Sequence, residues 1–245
     1  MKPYTEEFYG LRNKNTEYAA DLILTSLLEL LPDISSAVDI GCGVGTWLST
    51  LERKGVKRIL GVDGEWVNPE LLVIPKERFL PGNMVNGIHI EEKFDLAICL
   101  EVAEHLPADQ AEEFIGTLTG LADFVLFSAA IPFQGGTNHV NEQWPEYWDE
   151  LFNARDFVGF DFIRSAIWNN RNVPYYYRQN ILLFVEKNRL DELHLETIRN
   201  NFKPIGLIHP EVYTTKINKY HSLKGSWKLY RNAVKRWFRS AYKQT

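Results

Sequence analysis

The sequence is poor in cysteine and has no long apolar run. Its two cysteines, Cys42 and Cys99, fall in segments that we expect to be buried, so there is no disulfide framework, which favours a reducing compartment. The apolar runs are far shorter than the roughly 20 residues of a membrane-spanning helix, and residues 1–10 lack the apolar core of a secretion signal. We therefore expect a globular, cytoplasmic protein.

Acidic residues are almost absent from the C-terminal part of the chain. Residues 211–245 carry nine Lys or Arg against Glu211 alone, a net charge of +8, whereas residues 1–210 have a net charge of −13. An overall charge of −5 therefore describes an acidic body with a basic tail.

The basic tail has the pattern of an amphipathic helix between residues 222 and 243. Such a helix suits the anionic inner face of a membrane, while docking on the acidic body or on another subunit is an equal alternative and RNA a weaker one. The apolar face is formed by Leu223, Trp227, Tyr230, Val234, Trp237 and Ala241, and the basic residues around it are Lys224, Lys228, Arg231, Lys235, Arg239 and Lys243.

Between residues 35 and 130, strand-like and helix-like segments alternate, which predicts an α/β fold with a parallel, doubly wound sheet. We expect a helical cap at residues 1–34, a main domain at 35–187 and an extension at 188–245. Predicted strands lie at 37–40, 58–62, 79–80, 94–100 and 124–130, followed by a closing pair at 160–168 and 180–186; predicted helices lie at 5–31, 46–54, 108–121 and 146–152.

A glycine-rich turn follows the first predicted strand, in the stretch VDIGCGVG at residues 38–45. Glycines there allow a tight turn and a close approach of a ligand to main-chain N–H groups. The dinucleotide fingerprint would need a glycine where Thr46 stands. Asp63 ends the second predicted strand, where an acid is placed to accept hydrogen bonds from the hydroxyls of a ribose.

Three stretches, VDIGCGVGTWL, GVDGEW and FDLAICLEVAEHLP, resemble the successive motifs of class I S-adenosylmethionine (SAM) dependent methyltransferases. The resemblance covers roughly residues 35–186 and implies a Rossmann-like, doubly wound, seven-stranded sheet, mostly parallel with an antiparallel last strand. Asn83 departs from the acid that the family often has near the adenine. The implied SAM-binding residues are Asp39, Gly41, Cys42, Gly43, Gly45, Asp63, Gly64, Asn83, Met84 and Leu100.

The block EVAEH follows the fourth predicted strand at the edge where such sheets bind ligands. Glu101, Glu104, His105 and the later His139 form a candidate set for a divalent metal, Mg²⁺ or Mn²⁺. The set is similar to that of plant small-RNA 3′-terminal 2′-O-methyltransferases, and ubiquinone-pathway O-methyltransferases share the block. Without metal, His139 or His105 is a candidate for the group that takes the acceptor proton, and Glu101 is a further candidate catalytic residue.

The segment QGGTNHVNEQWPEYW at residues 134–148 concentrates amides, an acid and aromatic residues, which suits the binding of a sugar. It resembles methyltransferases encoded among genes for bacterial surface polysaccharides. For the two tryptophans in it, core packing is the alternative. The candidate substrate-binding residues are Gln134, Asn141, Glu142, Trp144, Trp148, Arg178 and Asn180.

The sequence thus predicts a SAM-dependent enzyme that O-methylates a hydroxyl of a sugar or surface-glycan intermediate. Alternatives are a metal-dependent RNA 2′-O-methyltransferase, an O-methyltransferase for a small quinone-like molecule, and a SAM-binding scaffold without catalysis. We expect a small-molecule or glycan acceptor, not nucleic acid.

Overall fold

The structure, a computed structural model, describes residues 6–31, 33–82, 90–193, 206–221 and 223–241. The chain divides into two compact units, Met1–Leu207 and Ile208–Thr245. The division that we predicted at residues 34 and 187 remains a prediction.

The first unit is built on a seven-stranded sheet with the order β3-β2-β1-β4-β5-β7-β6. Strands β3, β2, β1, β4 and β5 are mutually parallel, and β7 runs antiparallel to both of its neighbours. The predicted mostly parallel sheet with an antiparallel last strand is confirmed. The strands are β1 (Ser36–Ile40), β2 (Arg58–Asp63), β3 (Phe79–Pro81), β4 (Phe94–Leu100), β5 (Ala122–Ser128), β6 (Phe157–Phe160) and β7 (Leu182–Glu186).

Helices cover both faces of this sheet, because its central strands are apolar on both sides. Ala37 and Val38, neighbours on β1, belong to two different apolar clusters, one on each face. No helix among the described residues is both long and apolar enough to cross a bilayer. The helices are α1 (Glu6–Leu30), α2 (Thr46–Arg53), α3 (Ala111–Leu121), α4 (Pro145–Asn153), α5 (Ile163–Ile167), α6 (Tyr175–Asn180), α7 (Pro210–His221) and α8 (Leu223–Ala241).

The predicted strand at residues 160–168 is wrong. Strand β6 ends at Phe160, and residues 163–167 form the short helix α5. Ile163 and Ile167 are both buried at a spacing of one helical turn, and Arg164 between them is buried in an ion pair with Asp161. The mixture of apolar and polar residues in this segment therefore follows the period of a helix.

The sheet brings several polar residues to one edge. The parallel strands β1, β2, β4 and β5 all end there. Because β7 is antiparallel to β5, the start of β7 lies at the same edge. Asn180, the last residue of α6, is thereby placed beside the residues that follow β4 and β5.

Candidate active site

The turn after β1 brings main-chain amides to this edge. Gly41, Gly43 and Gly45 have φ angles of 85°, 56° and 88°, a region that other residues rarely adopt. A Cβ atom on Gly41 would lie 2.3 Å from Cγ2 of Val102, whereas one on Gly43 would meet nothing within 4 Å. Packing therefore requires glycine at position 41, while Gly43 borders open space that a ligand can enter.

Asp39, two residues before the glycine turn, is buried with an unpaired oxygen. It is 3% exposed, and its Oδ2 accepts no hydrogen bond from the described residues. Burial, and secondly the negative charge of Asp63, holds the pKa of Asp39 well above its ordinary value. Because buried polar atoms are nearly always paired, this oxygen fits a cationic or hydrogen-bond-donating ligand.

Asp63, at the end of β2, holds the glycine turn in place. Its Oδ2 accepts a hydrogen bond of 2.7 Å from the Gly43 amide, and its Oδ1 one of 2.6 Å from the Gly64 amide. Burial raises the pKa of Asp63, while these bonds and one from the Trp66 side chain oppose the rise. A carboxylate has about four lone pairs, so one remains for a ribose hydroxyl after these three bonds.

The other predicted cofactor residues are placed differently. Leu100 and Cys42 are buried, and a Cβ atom on Gly61 of β2 would lie 2.8 Å from the Cys42 sulfur. The Cys42 side chain therefore packs against the sheet, and only its main chain is placed to meet a ligand. Asn83 and Met84 lie outside the described residues.

Glu101 follows β4 in a left-handed conformation with φ of 58°, which is uncommon for a residue other than glycine. Its amide donates to the main-chain oxygen of Ser128, at 2.9 Å. Its Oε1 accepts a hydrogen bond from Asn180 Nδ2 at 2.9 Å, and its Oε2 accepts one from Gln134 Nε2 at 3.2 Å. Burial raises the pKa of Glu101, although these bonds oppose the rise.

Glu104, His105 and His139 converge on one point. Each offers one potential ligand atom, and the three atoms lie within 4.8 Å of one another. Glu104 is fully buried, and neither of its carboxylate oxygens accepts a hydrogen bond from the described residues. Burial, and secondly the charge of Glu101, raises the pKa of Glu104 to about 9. One carboxylate and two imidazoles form a donor set for a divalent metal ion.

The loop before α4 sets the orientation of His139. Its Nδ1 lies 3.0 Å from Glu142 Oε1, and Glu142 also accepts hydrogen bonds from the amides of Phe133 and Gly135. A carboxylate partner favours the proton on Nδ1. The lone pair on Nε2 then faces Glu104, whose Oε1 is 4.0 Å away.

The same loop is fastened to the segment that carries Glu104 and His105. The amides of Val140 and Asn141 donate to the main-chain oxygen of Glu104 at 2.9 and 3.0 Å. The rings of His105 and His139 meet edge to face, with centroids 4.9 Å apart. Desolvation, and secondly His139, lowers the pKa of His105. The imidazole of His105 therefore stays neutral, and available as a ligand, to a lower pH than usual.

The geometry brings together three of the four predicted metal ligands, and the metal set stays a prediction. The backbone turn at Glu101 directs its carboxyl to the amides of Asn180 and Gln134, and Glu101 is not part of the converging group. Glu101 thus forms a second polar group at the same edge of the sheet.

The predicted acceptor wall divides into residues beside the Glu101 and His139 groups and residues that pack in the core. Gln134, Asn180 and Glu142 contact the Glu101 and His139 groups, and Trp144 is half-exposed before α4. Asn141 is buried, and its Nδ2 donates to no described residue. Two predicted members have their contacts in the core instead. These are Trp148, which is 2% exposed and packs on Phe127, and Arg178, which bonds the main-chain oxygens of Val173 and Trp168.

Two residues of the site were missed from the sequence. Ser128 ends β5, and its Oγ accepts a second bond, of 3.1 Å, from the Glu101 amide. Its position after an apolar strand, next to the end of β4, was a usable signal. Gly136 packs so closely on His139 that a Cβ atom there would lie 2.0 Å from Nε2. No local pattern indicates that contact.

Solved structures that share this fold include several methyltransferases. Magnesium protoporphyrin IX methyltransferase from Synechocystis PCC 6803, with bound SAM, is 20% identical, with a TM-score of 0.51 over 71% of this chain and 79% of that chain. An O-methyltransferase family protein from Burkholderia thailandensis is 14% identical, with a TM-score of 0.53 over 73% and 58%. CalS10, an amino pentose methyltransferase from Micromonospora echinaspora, is 12% identical, with a TM-score of 0.52 over 75% and 97%. At these identities the likeness establishes the fold.

Residues 11–155 match the model of a family described as a methyltransferase domain. This match spans more than half of the chain, so the chain belongs to that family and is a class I SAM-dependent methyltransferase. No curated protein sequence matches it. The predicted enzyme class and the predicted cofactor, SAM, are confirmed.

Proposed function

We propose that the protein methylates a hydroxyl of a sugar or surface-glycan intermediate in the cytoplasm. The observation that carries the proposal is the orientation of His139, whose Nδ1 is engaged by Glu142 while Nε2 faces the interior of the cluster. An imidazole with a fixed tautomer and a free Nε2 is suited to take a proton at neutral pH.

The cofactor is assigned to the edge formed by β1 and β2. When bound, SAM supplies a methyl group on a positively charged sulfur. The unpaired oxygen of Asp39 suits a donor group of the methionyl part, and the Gly43 amide borders the open space of the turn. Asp63 suits the ribose hydroxyls, since its carboxylate is already fixed by two main-chain amides.

Three polar side chains beside the cofactor are assigned to the acceptor, namely Glu101, Gln134 and Asn180. Asn180 Nδ2 donates to both Glu101 and Gln134, while its Oδ1 is buried and accepts no hydrogen bond from the described residues. Amide and carboxyl groups with spare hydrogen-bonding capacity suit the hydroxyls of a sugar. The half-exposed Trp144 is a candidate for the apolar face of the ring. The likeness in fold to CalS10, an amino pentose methyltransferase, supports this substrate class.

In this arrangement His139 is the base. Methyl transfer to oxygen requires the hydroxyl proton to leave as the new bond to carbon forms, and a base in reach lowers that barrier. Nε2 of His139 accepts the proton, and Glu142, on the opposite nitrogen, stabilises the imidazolium that results. His105, with its lowered pKa, contributes a second neutral imidazole.

A second function, metal-dependent 2′-O-methylation of RNA, is favoured by the convergence of Glu104, His105 and His139. A divalent ion there would lower the pKa of an acceptor hydroxyl. Two imidazoles among three ligands differ from the oxygen ligands that Mg²⁺ prefers, so of the two metals considered Mn²⁺ fits better. The acidic body of the protein argues against RNA as the acceptor.

The decisive experiment is methyl transfer from radiolabelled SAM to two acceptor pools, a lipid-and-glycan extract and small RNA, each with and without EDTA. Label in a glycan supports the proposal, and its sensitivity to EDTA decides whether the three-residue group works with a metal. Label in RNA alone would overturn the acceptor class. Label in a quinone-like lipid would favour a small-molecule acceptor, and SAM binding without any transfer would favour a scaffold.

The His139→Ala variant is the matched test of the base. It is expected to bind SAM with unchanged affinity and to lose methyl transfer. Normal transfer by this variant would remove His139 from the reaction while leaving the SAM assignment intact.

A further inference from the structure

Helix α8 carries large apolar side chains on its surface. Leu223 is 94% exposed, Trp227 66% and Tyr230 62%. They recur at steps of four and three residues, which puts them on one side of the helix. Exposed apolar residues that form a stripe, unlike scattered ones, mark a surface that binds something.

Basic side chains border this stripe. Lys224, Lys228, Arg231 and Lys235 are all exposed, and none of them forms an ion pair with the residues that the structure describes. At 100° per residue, these four lie together along one side of the stripe. No acidic residue follows Glu211 in the sequence, so nothing on α8 neutralises them.

We propose that α8 docks on an anionic membrane surface. The apolar side chains enter the boundary between headgroups and acyl chains, and the basic side chains contact lipid phosphates. Trp and Tyr are suited to that boundary, because they combine an apolar ring with a polar group. The proposal is independent of the proposed acceptor, since this surface shares no residue with the cofactor and His139 sites.

Charge separates this occupant from two rivals, a second copy of the chain and a nucleic acid. In a symmetric pair of α8 helices, the same patch would face itself and bring cations together. A nucleic acid would use the basic side chains but leave Leu223 and Trp227 in water, and the remainder of the chain is acidic. An anionic bilayer satisfies both the apolar and the basic side chains of the helix.

The test is flotation of the full-length protein with vesicles of phosphatidylcholine alone or mixed with phosphatidylglycerol. We expect the protein to float with the mixed vesicles, to be released by high salt, and to stay behind with phosphatidylcholine alone. Failure to float with either vesicle would overturn the proposal.

Two pairs of variants locate the contact. Changing Lys224, Lys228 and Arg231 to Gln should lower partition into the mixed vesicles on the order of a hundredfold, since each basic residue near an anionic surface contributes about a factor of five. The control changes three exposed basic residues elsewhere, Lys57, Lys93 and Arg171, to Gln and alters net charge equally. An equal loss in both triple variants would show that overall charge, not α8, is responsible, and would overturn the proposal.

The apolar contribution is tested by Trp227→Ala, with Tyr213→Ala on α7 as the control for an exposed aromatic residue. Partition should fall several-fold for Trp227→Ala only, and the tryptophan fluorescence of the unmodified protein should shift to the blue on adding mixed vesicles.

If light scattering without vesicles shows a dimer that Trp227→Ala dissociates, a second copy is the occupant and the membrane proposal is wrong. If RNA displaces the protein from the vesicles and Trp227→Ala binds that RNA normally, the basic residues serve nucleic acid and the proposal is likewise wrong.

Discussion

Asn180 Nδ2 donates a hydrogen bond of 2.9 Å to Glu101 Oε1, although 79 positions separate the two residues. The contact exists because β7 is antiparallel to β5, so that the start of β7 lies at the same ligand-binding edge as the end of β4, with β5 between them. Gln134, from the loop after β5, bonds both residues and completes a buried network. A buried network of this kind holds its side chains in place only when each of its hydrogen bonds is made.

Removing the amide of Asn180 should therefore affect stability and activity together. Asn180→Ala leaves Glu101 with one fewer donor, and we expect the free energy of unfolding to fall by about 1–3 kcal/mol, the range for a hydrogen bond to a charged or buried group. Urea denaturation and methyl-transfer rates measure the two effects. Asn172→Ala, at an exposed position, is the control. Equal stability of the two variants would contradict the network's role.

Asp63→Ala should weaken SAM binding. The substitution removes the acceptor for the Gly43 and Gly64 amides as well as the proposed partner of the ribose. We expect the dissociation constant, measured by calorimetry, to rise at least about tenfold, the equivalent of one charged hydrogen bond. Asp109→Ala, at an exposed position, should bind normally. An unchanged constant in Asp63→Ala would refute the ribose assignment.

The stability of the cofactor-free protein should depend on pH through Asp39. Burial raises the pKa of Asp39 in the folded state, whereas in the unfolded chain it titrates near its ordinary value of about 3.9. At this group the folded state therefore binds more protons, so the contribution of Asp39 to stability is fully present below that ordinary value and is lost as the pH rises through the raised one.

Asp39→Asn should reduce this loss of stability and, at neutral pH, unfold at higher urea concentration than the unmodified protein. It should also bind SAM more weakly, because the unpaired carboxylate oxygen is removed. Denaturation curves at several pH values check the first point. Asp33→Asn, at an exposed position, is the control. If the stability of Asp39→Asn falls with pH as steeply as that of the unmodified protein and of Asp33→Asn, other groups cause the pH dependence.

A methyl group at position 136 should displace His139. In Gly136→Ala the new Cβ would lie 2.0 Å from Nε2, so the ring must move. A displacement of about 1 Å in a reacting group costs on the order of a hundredfold in rate, and we expect that loss with unchanged affinity for SAM.

The control for this substitution is Gly120→Ala in α3, where the added Cβ meets nothing within 4 Å. It should retain activity and gain about 1 kcal/mol of stability from helix propensity. A Gly136→Ala variant as active as Gly120→Ala would mean that the position of His139 is not critical.

Metal binding should require Glu104 but not Glu101. Mn²⁺ at 100 times its dissociation constant should stabilise the protein by about 2.7 kcal/mol, seen as a rise in Tm. Glu104→Gln should abolish the rise, because it removes a ligand of the converging group, whereas Glu101→Gln should retain it. A rise lost in both variants would restore the four-ligand set, and no rise in the unmodified protein would exclude Mn²⁺ from the site.

Local sequence determined the parts of the structure that depend on neighbouring residues. The turn at Gly41–Gly45 follows from glycine at three positive φ angles, and β1, β2 and β4 follow from short apolar runs buried on both sides. The block that carries Glu104 and His105 could be assigned to the ligand-binding edge because it directly follows β4. Local sequence gave the wrong prediction at residues 160–168. The spacing of Ile163 and Ile167 fits either a strand or a helix, and the ion pair between Asp161 and Arg164 accompanies the helix.

The tertiary structure alone decided which polar residues share a site. Glu101 and Glu104 are three positions apart, yet one bonds Asn180 and the other faces His139, because the backbone at Glu101 is left-handed. Trp148 and Trp144 stand in one short segment, yet α4 buries the first in the core and leaves the second half-exposed. Such outcomes depend on strand order and on packing between distant segments, and the spacing of residues along the chain carries no information about either.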